Sequence, residues 1–290
     1  MPELRPRRSV LYMPAANERA LEKAKSLPAD AIIFDLEDAV APDAKDAARA
    51  NAVLAAQSGE YGHRELTIRC NGLDTPWGSA DIDAAAQSGA AAVVIPKISS
   101  VDQLNEIDAR LEAAGAPNSM SIWAMVETPR AIFDVRDIAA HARVTVLVMG
   151  TNDLVKELRA EAASQRSALV PHLAQAVLGA REAGKIILDG VYNDVRDPDG
   201  FTQEAIQGRQ LGFDGKTLIH PSQVDLANEV WAPSQSDIEY SQRVIEAFDD
   251  AVSHGKGVIT VDGRMIENLH VDNARRVLAV AEAIARLNEH

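Results

Sequence analysis

The sequence lacks the features that mark secreted, membrane-bound or nucleic-acid-binding proteins. It has one cysteine, Cys70, in 290 residues, which excludes an internal disulfide framework and a zinc site built from several thiolates. It has no apolar run of about 18 residues, and no apolar stretch follows the arginines of MPELRPRRSV, so we expect neither a membrane span nor a secretory signal. Lys and Arg number 29 against 43 Asp and Glu, and a net charge of -14 argues against a nucleic acid or an anionic membrane as partner. We therefore expect a cytoplasmic enzyme that acts on a small molecule.

Short apolar runs alternate with alanine-rich helical stretches along most of the chain. Eight of these runs predict strands, namely Ser9–Met13, Ala31–Leu36, Leu66–Asn71, Ala92–Pro96, Ser121–Glu127, Val144–Met149, Ile186–Val191 and Lys216–His220. Nearly continuous apolar runs of this length are typical of a parallel sheet that is covered by helices. Eight units favour an α/β fold of the closed (β/α)8 type, a TIM barrel, which takes about 250 residues. An open, doubly wound sheet is the alternative.

The chain continues beyond the last predicted strand. We expect residues 1–230 to form the barrel and residues 231–290 to form a C-terminal helical and hairpin extension. The extension reads as a helix at Asp237–Ser253, a hairpin at Val258–Ile266 that turns at Asp262-Gly263, and a helix at His270–Leu287. A minimal barrel does not need these elements, so we expect them to complete the active site or to form a contact between subunits.

Polar residues follow most of the predicted strands, at the end where TIM barrels carry their catalytic groups. They are Asp35, Glu37, Asp38, Arg69, Asn71, Lys97, Glu127, Asn152, Asp153, Tyr192, Asn193, Asp194 and His220. Each of them could simply begin a solvated loop, but that interpretation is weaker for several residues that meet on one rim. Side chains alternate along a strand, so an inward Arg69 places Cys70 beneath the helices, where a thiol packs as a small apolar group.

Glu127 and Asp153 end neighbouring predicted strands, so their carboxylates are expected to approach each other over the barrel mouth. Two carboxylates without histidine or thiolate form a hard oxygen site that suits Mg²⁺ and leaves positions for water and substrate. Arg69 is then a natural clamp for a substrate carboxylate. The alternative is that Glu127 and Asp153 only cap the helices that follow them.

Lys97 supports a rival mechanism. It follows the apolar run Ala92–Pro96, and a buried stem would lower the pKa of the amine. An amine of lowered pKa can form a Schiff base at a strand end, as in metal-free aldolases.

Six motifs occur in a fixed order along the chain, and together they resemble the citrate lyase beta-subunit and malyl-CoA lyase family of the HpcH/HpaI aldolase superfamily. They are RSVLYMP at 8–14, FDLEDAV at 34–40, PK at 96–97, ET at 127–128, GTNDL at 150–154 and GFDGKTLIHP at 212–221. The resemblance extends from Arg8 to the final helix.

The resemblance implies a Mg²⁺-dependent TIM barrel that assembles as a homotrimer or hexamer. It implies a carbon–carbon lyase that cleaves a β-hydroxyacyl thioester of the citryl-, malyl- or citramalyl-CoA type by retro-aldol chemistry. The metal ligands of the family fall on Glu127 and Asp153, which also contact the substrate. Its carboxylate-binding arginine falls on Arg69. Its acidic motif, which supports the arginine and the waters of the metal, falls on Asp35, Glu37 and Asp38.

Two further assignments follow from the resemblance. Many members carry Met-Ile-Asp in the C-terminal segment, with an aspartate that reaches the neighbouring subunit's site for proton transfer, whereas this chain has Glu267 there. The added methylene moves the carboxylate by about 1 to 1.5 Å, and a misplacement of about that size can cost a factor of ~100 in rate. The basic cluster at the N-terminus, chiefly Arg8 and Arg19 with Arg5 and Arg7, is where CoA phosphates are expected, unless it is only a solvated basic patch.

Two other functions remain open. One is a malyl-CoA-type thioesterase, in which water attacks the thioester and no carbon–carbon bond breaks. The other is a non-catalytic subunit that binds a thioester, carried by CoA or by an acyl-carrier protein, within a larger lyase complex.

Overall fold

The computed structural model describes residues 4–161, 164–254 and 257–288. Within Arg7–Val230, eight parallel strands pair in sequence order, and β1 pairs with β8 to close the barrel. The strands are β1 Ser9–Pro14, β2 Ala31–Asp35, β3 Glu65–Arg69, β4 Ala92–Ile95, β5 Ser121–Val126, β6 Val144–Met149, β7 Ile186–Asp189 and β8 Gly215–Leu218. The closed barrel is confirmed, and the pairing of β1 with β8 rules out the open sheet.

Helices connect the strands and cover the outside of the barrel. They are α1 Glu18–Ala24, α2 Lys45–Gln57, α3 Gly78–Ala86, α4 Val101–Ala113, α5 Pro129–Phe133, α6 Val135–Ala140, α7 Thr151–Leu158, α8 Val170–Glu182, α9 Pro198–Leu211 and α10 Val224–Trp231. Several begin with a side-chain cap. The Thr128 hydroxyl, for example, accepts from the Ala131 N–H at 3.1 Å, with Pro129 in the first turn of α5.

The barrel interior is a packed apolar core. Alternate residues of the strands point inward because side chains alternate along each strand, and branched or large residues fill the space between the strands. The core consists of Val10, Ala31, Ile33, Ala92, Val94, Trp123, Met125, Val146, Val148 and Leu188. Such packing makes the strands a rigid frame for the loops at their carboxyl ends.

Several strands end one or two residues earlier than the apolar runs suggest. The third predicted strand extends to Asn71, whereas β3 ends at Arg69. The Asn71 N–H donates to the Asp81 carboxylate at 3.0 Å, which turns the chain out of the sheet. The last residues of these runs therefore belong to the loops around the barrel mouth.

A second compact unit comprises Trp231 and the residues after it, together with residues 4–6. It contains α11 Gln235–Ser253, β9 Ile259–Val261, β10 Arg264–Ile266 and α12 Asn268–Asn288. The unit has its own apolar core of Val244, Phe248, Val261, Ile266, Val271 and Ala274. The hairpin turns at Asp262 and Gly263, with φ of 49° and 77°, the backbone that a tight two-residue turn requires.

In the part of the chain that the structure describes, no helix has the length and apolar character needed to cross a membrane.

Candidate active site

A cavity of about 340 Å³ opens at the carboxyl ends of the barrel strands. Five of the predicted site residues line it, namely Asp35, Asp38, Arg69, Glu127 and Asp153. The remaining lining residues include Tyr12, Met125, Met149, Gly150, Thr151, Asn152, Asn193 and Thr217. The barrel thus brings residues from seven of its eight strands, or from the loops that follow them, to one space.

Arg69 is held in place by the acidic motif that follows β2. Its Nε and Nη2 atoms donate to the two oxygens of Asp35 at 2.7 and 2.6 Å, as a bidentate pair. Its Nη1 atom lies 2.7 Å from Glu37 and 3.5 Å from Asp38. All three predicted acidic residues therefore contact Arg69, and they fix the guanidinium at the wall of the cavity.

Burial and charge have opposite effects on this cluster. Burial alone would lower the pKa of Arg69, but its pairing with Asp35 outweighs burial and holds the pKa well above its ordinary value. Burial raises the pKa of Glu37 to about 7, against the opposing effect of the Arg69 charge. The guanidinium therefore stays charged, while Glu37 titrates near neutral pH.

Lys45 supports this cluster from below, which the sequence did not reveal. It is 5% exposed, and its Nζ donates to the carbonyls of Leu36 and Glu37, both at 2.7 Å, and to Asn71 Oδ1 at 2.9 Å. Asn71 in turn donates to the Leu36 carbonyl at 2.9 Å and to Asp81 at 2.6 Å. These bonds tie the end of β2 to the end of β3, so Asn71 braces the site without lining the cavity.

Glu127 follows β5 and is 2% exposed. Its Oε1 accepts from the Lys97 N–H at 2.7 Å, and its side chain lies against Gly150, where a Cβ would come within 2.2 Å of Oε2. Burial raises the pKa of Glu127 to about 7; the hydrogen bond from Lys97 opposes this shift, and the Asp153 charge adds to it. Gly150 is thus required for Glu127 to occupy its position.

Asp153 lies in the first turn of α7, directly after β6, and lines the same cavity as Glu127. Within the described residues neither carboxylate forms an ion pair, and no cluster of three or more Asp, Glu, His or Cys side chains is arranged to bind a metal. Two unpaired carboxylates that repel each other fit a hard divalent cation, which keeps several waters of its own. The donor set therefore fits Mg²⁺ bound by Glu127 and Asp153.

The prediction for Lys97 as a Schiff-base lysine is wrong in its premise. The side chain is exposed, and the residue has a φ of 53°, which turns its N–H toward Glu127. Partial burial lowers the pKa of Lys97, but four surrounding carboxylates, Glu37 foremost, outweigh it and raise the pKa. A protonated amine is not a nucleophile, so the geometry does not favour a Schiff base.

Arg8 and Arg19 lie at opposite ends of the barrel. Arg19 is exposed in the first turn of α1, which follows β1 at the mouth. Arg8 precedes β1, is 9% exposed, and donates to both oxygens of Asp30 at 2.9 and 2.7 Å. The prediction that Arg8 binds CoA phosphates is therefore corrected: its guanidinium is already paired, and it lies at the amino ends of the strands. Arg19 remains a predicted contact.

Glu267 lies in the smaller unit, between β10 and α12. Its N–H donates to His270 Nδ1 at 3.2 Å, and its carbonyl accepts from the His270 N–H at 2.9 Å. Its backbone therefore caps α12, and the catalytic role of its carboxylate stays a prediction.

The contributions of Tyr12, Gly150 and Thr151 to the cavity were not identified from the sequence. Tyr12 points inward from β1 with its ring 4.8 Å from the Arg69 guanidinium carbon, and Thr151 packs against Gly190, where a Cβ would lie 2.4 Å from the Thr151 hydroxyl. The alternation that puts Val10 and Tyr12 on one face of the first predicted strand was the signal for Tyr12. Gly150 and Thr151 stand in the GTNDL motif, but no local pattern indicates the close contacts that they make with Glu127 and Gly190.

A closed parallel barrel with a clamped arginine and two unpaired carboxylates at its carboxyl face defines a TIM-barrel enzyme with a candidate metal centre. The family model of the HpcH/HpaI aldolase/citrate lyase family matches residues 8–221. The chain belongs to this family, which confirms the resemblance found in its motifs.

Its relatives carry two different names. The chain is 50% identical to the (3S)-malyl-CoA thioesterase of Cereibacter sphaeroides (strain KD131 / KCTC 12085) over 97% of this chain and 96% of the relative. It is 37% identical to citrate lyase subunit beta of Escherichia coli (strain K12) over 96% and 94%. Among solved structures, the protein CitE from Mycobacterium tuberculosis in complex with magnesium, acetoacetate and coenzyme A matches with a TM-score of 0.77 at 27% identity, over 94% of this chain and 97% of that one.

Proposed function

We propose that the chain is a Mg²⁺-dependent enzyme that hydrolyses the thioester of a malyl-CoA-type substrate. The observation that carries the proposal is the juxtaposition of Arg69 with the unpaired carboxylates of Glu127 and Asp153 in one cavity. A cation and a guanidinium side by side match the carboxylate and the hydroxyl at the acid end of such a substrate. The thioester end then extends toward the opening of the cavity.

The site residues have distinct tasks in this reaction. Glu127 and Asp153 would hold Mg²⁺, which supplies positive charge to the substrate oxygens when bound. Arg69, fixed by Asp35, orients the substrate carboxylate. Water adds to the thioester carbonyl carbon, the carbon–sulfur bond breaks, and the thiol of CoA leaves with a proton.

The similarity to relatives favours hydrolysis over carbon–carbon cleavage. The chain is 50% identical to relatives named (3S)-malyl-CoA thioesterase and 37% identical to relatives named citrate lyase subunit beta. A lyase is the second candidate, because the family model also describes aldolases and citrate lyases. In that reaction a base removes the β-hydroxyl proton, the carbon–carbon bond breaks, and the acyl thioester leaves as an enolate that is then protonated.

One assay separates the two reactions. With (3S)-malyl-CoA, hydrolysis releases free thiol and malate, whereas cleavage releases glyoxylate and keeps the thioester intact. We expect thiol release without glyoxylate, and its loss on adding EDTA or in Glu127→Ala and Asp153→Ala. Glu112→Ala, an exposed acid on α4, is the matched control and should leave the rate unchanged. Glyoxylate as the main product would establish the lyase, and no turnover would favour the non-catalytic binding subunit.

The proposal extends to assembly and to the CoA moiety. Glu267 is proposed to handle a proton in a neighbouring subunit's site, in a trimer or hexamer, and Arg19 to contact CoA phosphates. Co-expression of Glu127→Ala with Glu267→Ala tests the shared site, because mixed oligomers would contain some sites with both carboxylates. We expect activity in the mixture that neither variant has alone. An inactive mixture, or a monomer in sedimentation, would contradict the shared site.

A further inference from the structure

Tyr12 lines the cavity but has no role in the proposed binding of Mg²⁺ by Glu127 and Asp153 or of the substrate carboxylate by Arg69. It lies on β1, and its ring packs against the apolar core of the barrel. The Arg69 guanidinium carbon lies 4.8 Å from the centre of the ring. The ring is therefore held between the barrel core and Arg69, and the residue lines the cavity.

The donors of Arg69 are largely used within the protein. A guanidinium has five N–H groups. Asp35 accepts from Nε and Nη2, Glu37 lies 2.7 Å from Nη1, and Asp38 accepts from Nη1 at 3.5 Å. One N–H, on Nη2, is left for a ligand. Arg69 alone therefore cannot form the bidentate hydrogen-bonded pair by which an arginine usually holds a carboxylate.

Tyr12 carries a further donor in the same cavity, on a ring that lies against the Arg69 guanidinium. Within the described residues its oxygen has no hydrogen-bond partner, although the groups that act on it electrostatically are Arg69, Asp35, Glu127 and Glu37. Burial raises the pKa of Tyr12, so the phenol stays protonated at neutral pH and acts as a donor. Tyr12 is half-buried at the wall of the cavity, so its hydroxyl is free to donate to a bound molecule.

We propose that the Tyr12 hydroxyl contacts the substrate and donates a hydrogen bond to the carboxylate held at Arg69. It thereby supplies the second donor to that carboxylate, beside the free N–H of Arg69. The inference rests on the proposed function for the identity of the substrate, a 2-hydroxy dicarboxylic acid linked to CoA. It makes Tyr12 a residue that selects for an anionic acid end.

Binding of free malate tests the contact without turnover. Isothermal titration calorimetry in Mg²⁺ compares the wild type with Tyr12→Phe, which keeps the ring and its contact with Arg69 and removes only the hydroxyl. A hydrogen bond to a charged group of this kind corresponds to a loss of affinity of about ten- to a hundredfold. Binding of free CoA should be unchanged, and the KM for malyl-CoA should rise in parallel with the malate dissociation constant.

Tyr61→Phe is the matched control. Tyr61 is 1% exposed, packs edge-on against Phe34 at 5.3 Å, and donates to the Leu21 carbonyl outside the cavity. It should lose thermal stability and keep its malate affinity.

The outcomes separate this inference from the proposed function. Unchanged malate affinity in Tyr12→Phe, or no malate binding by the wild type, would overturn the contact even if malyl-CoA is hydrolysed. A Tyr12-dependent malate site in a protein that does not hydrolyse malyl-CoA would support the contact and reject the proposed hydrolysis.

Discussion

Gly150→Ala is expected to disable the metal centre without removing any of its ligands. The new Cβ would lie 2.2 Å from Oε2 and 2.4 Å from Cβ of Glu127. Non-bonded carbon atoms prefer about 3.5 to 4.0 Å, so Glu127 must retreat by roughly 1 to 1.5 Å. A misplacement of about 1 Å in a catalytic geometry can cost a factor of ~100. We therefore expect kcat/KM to fall by about two orders of magnitude, and the Mg²⁺ affinity to fall with it.

The assay combines steady-state kinetics with Mg²⁺ titration by calorimetry and a thermal melt. Gly257→Ala is the control, because a Cβ at that glycine meets nothing within 4 Å, and it should behave as the wild type. If Gly150→Ala binds Mg²⁺ and turns over substrate normally, then the position of Glu127 against Gly150 is not what holds the metal, and the reasoning fails.

Three other properties follow from the site. The raised pKa of Glu127, about 7, means that protons compete with Mg²⁺, so affinity should fall about tenfold from pH 8 to pH 6 in calorimetry; a flat profile would contradict this. Because that folded-state pKa lies above the ordinary value of 4.5, the metal-free protein should lose stability as pH rises from 4.5 to 7, and denaturant titrations of Glu127→Gln should show a smaller loss. Lys45→Met leaves buried carbonyl oxygens of Leu36 and Glu37 with lost donors, so chemical denaturation should show a loss of about 3 kcal/mol, and a loss under 1 kcal/mol would refute the bracing role.

The fold was readable from the sequence because it rests on local patterns. Continuous apolar runs indicated strands buried on both faces, and the residues between them indicated helices. The Asp262-Gly263 pair predicted the hairpin, since both residues adopt the positive φ that the turn needs. The prediction for Arg8 was wrong, although the direction of the strand is enough to decide its position. Because Arg8 precedes β1, it lies at the amino end of that strand, away from the mouth of the barrel.

The pKa shifts and ion pairs of the site could not be predicted as well from the sequence as the fold could. Lys97 follows an apolar run, which suggested a lowered pKa, yet its pKa is raised by carboxylates that come from other strand ends. Likewise, the engagement of Arg69 by Asp35 joins residues 34 positions apart. Electrostatic shifts depend on distances of a few ångströms between distant parts of the chain, and no local pattern encodes them.

The sequence by itself determined that eight strands and their helices form a barrel, and which acidic and basic residues stand at the strand ends. Only the tertiary structure decided that most N–H groups of Arg69 are bonded to Asp35, Glu37 and Asp38, that Gly150 makes room for Glu127, and that the Tyr12 ring lies against Arg69. The physical reason is that alternation and capping are fixed by adjacent residues, whereas hydrogen-bond partners, burial and close contacts arise when β1, β3 and β5 are brought around a common mouth.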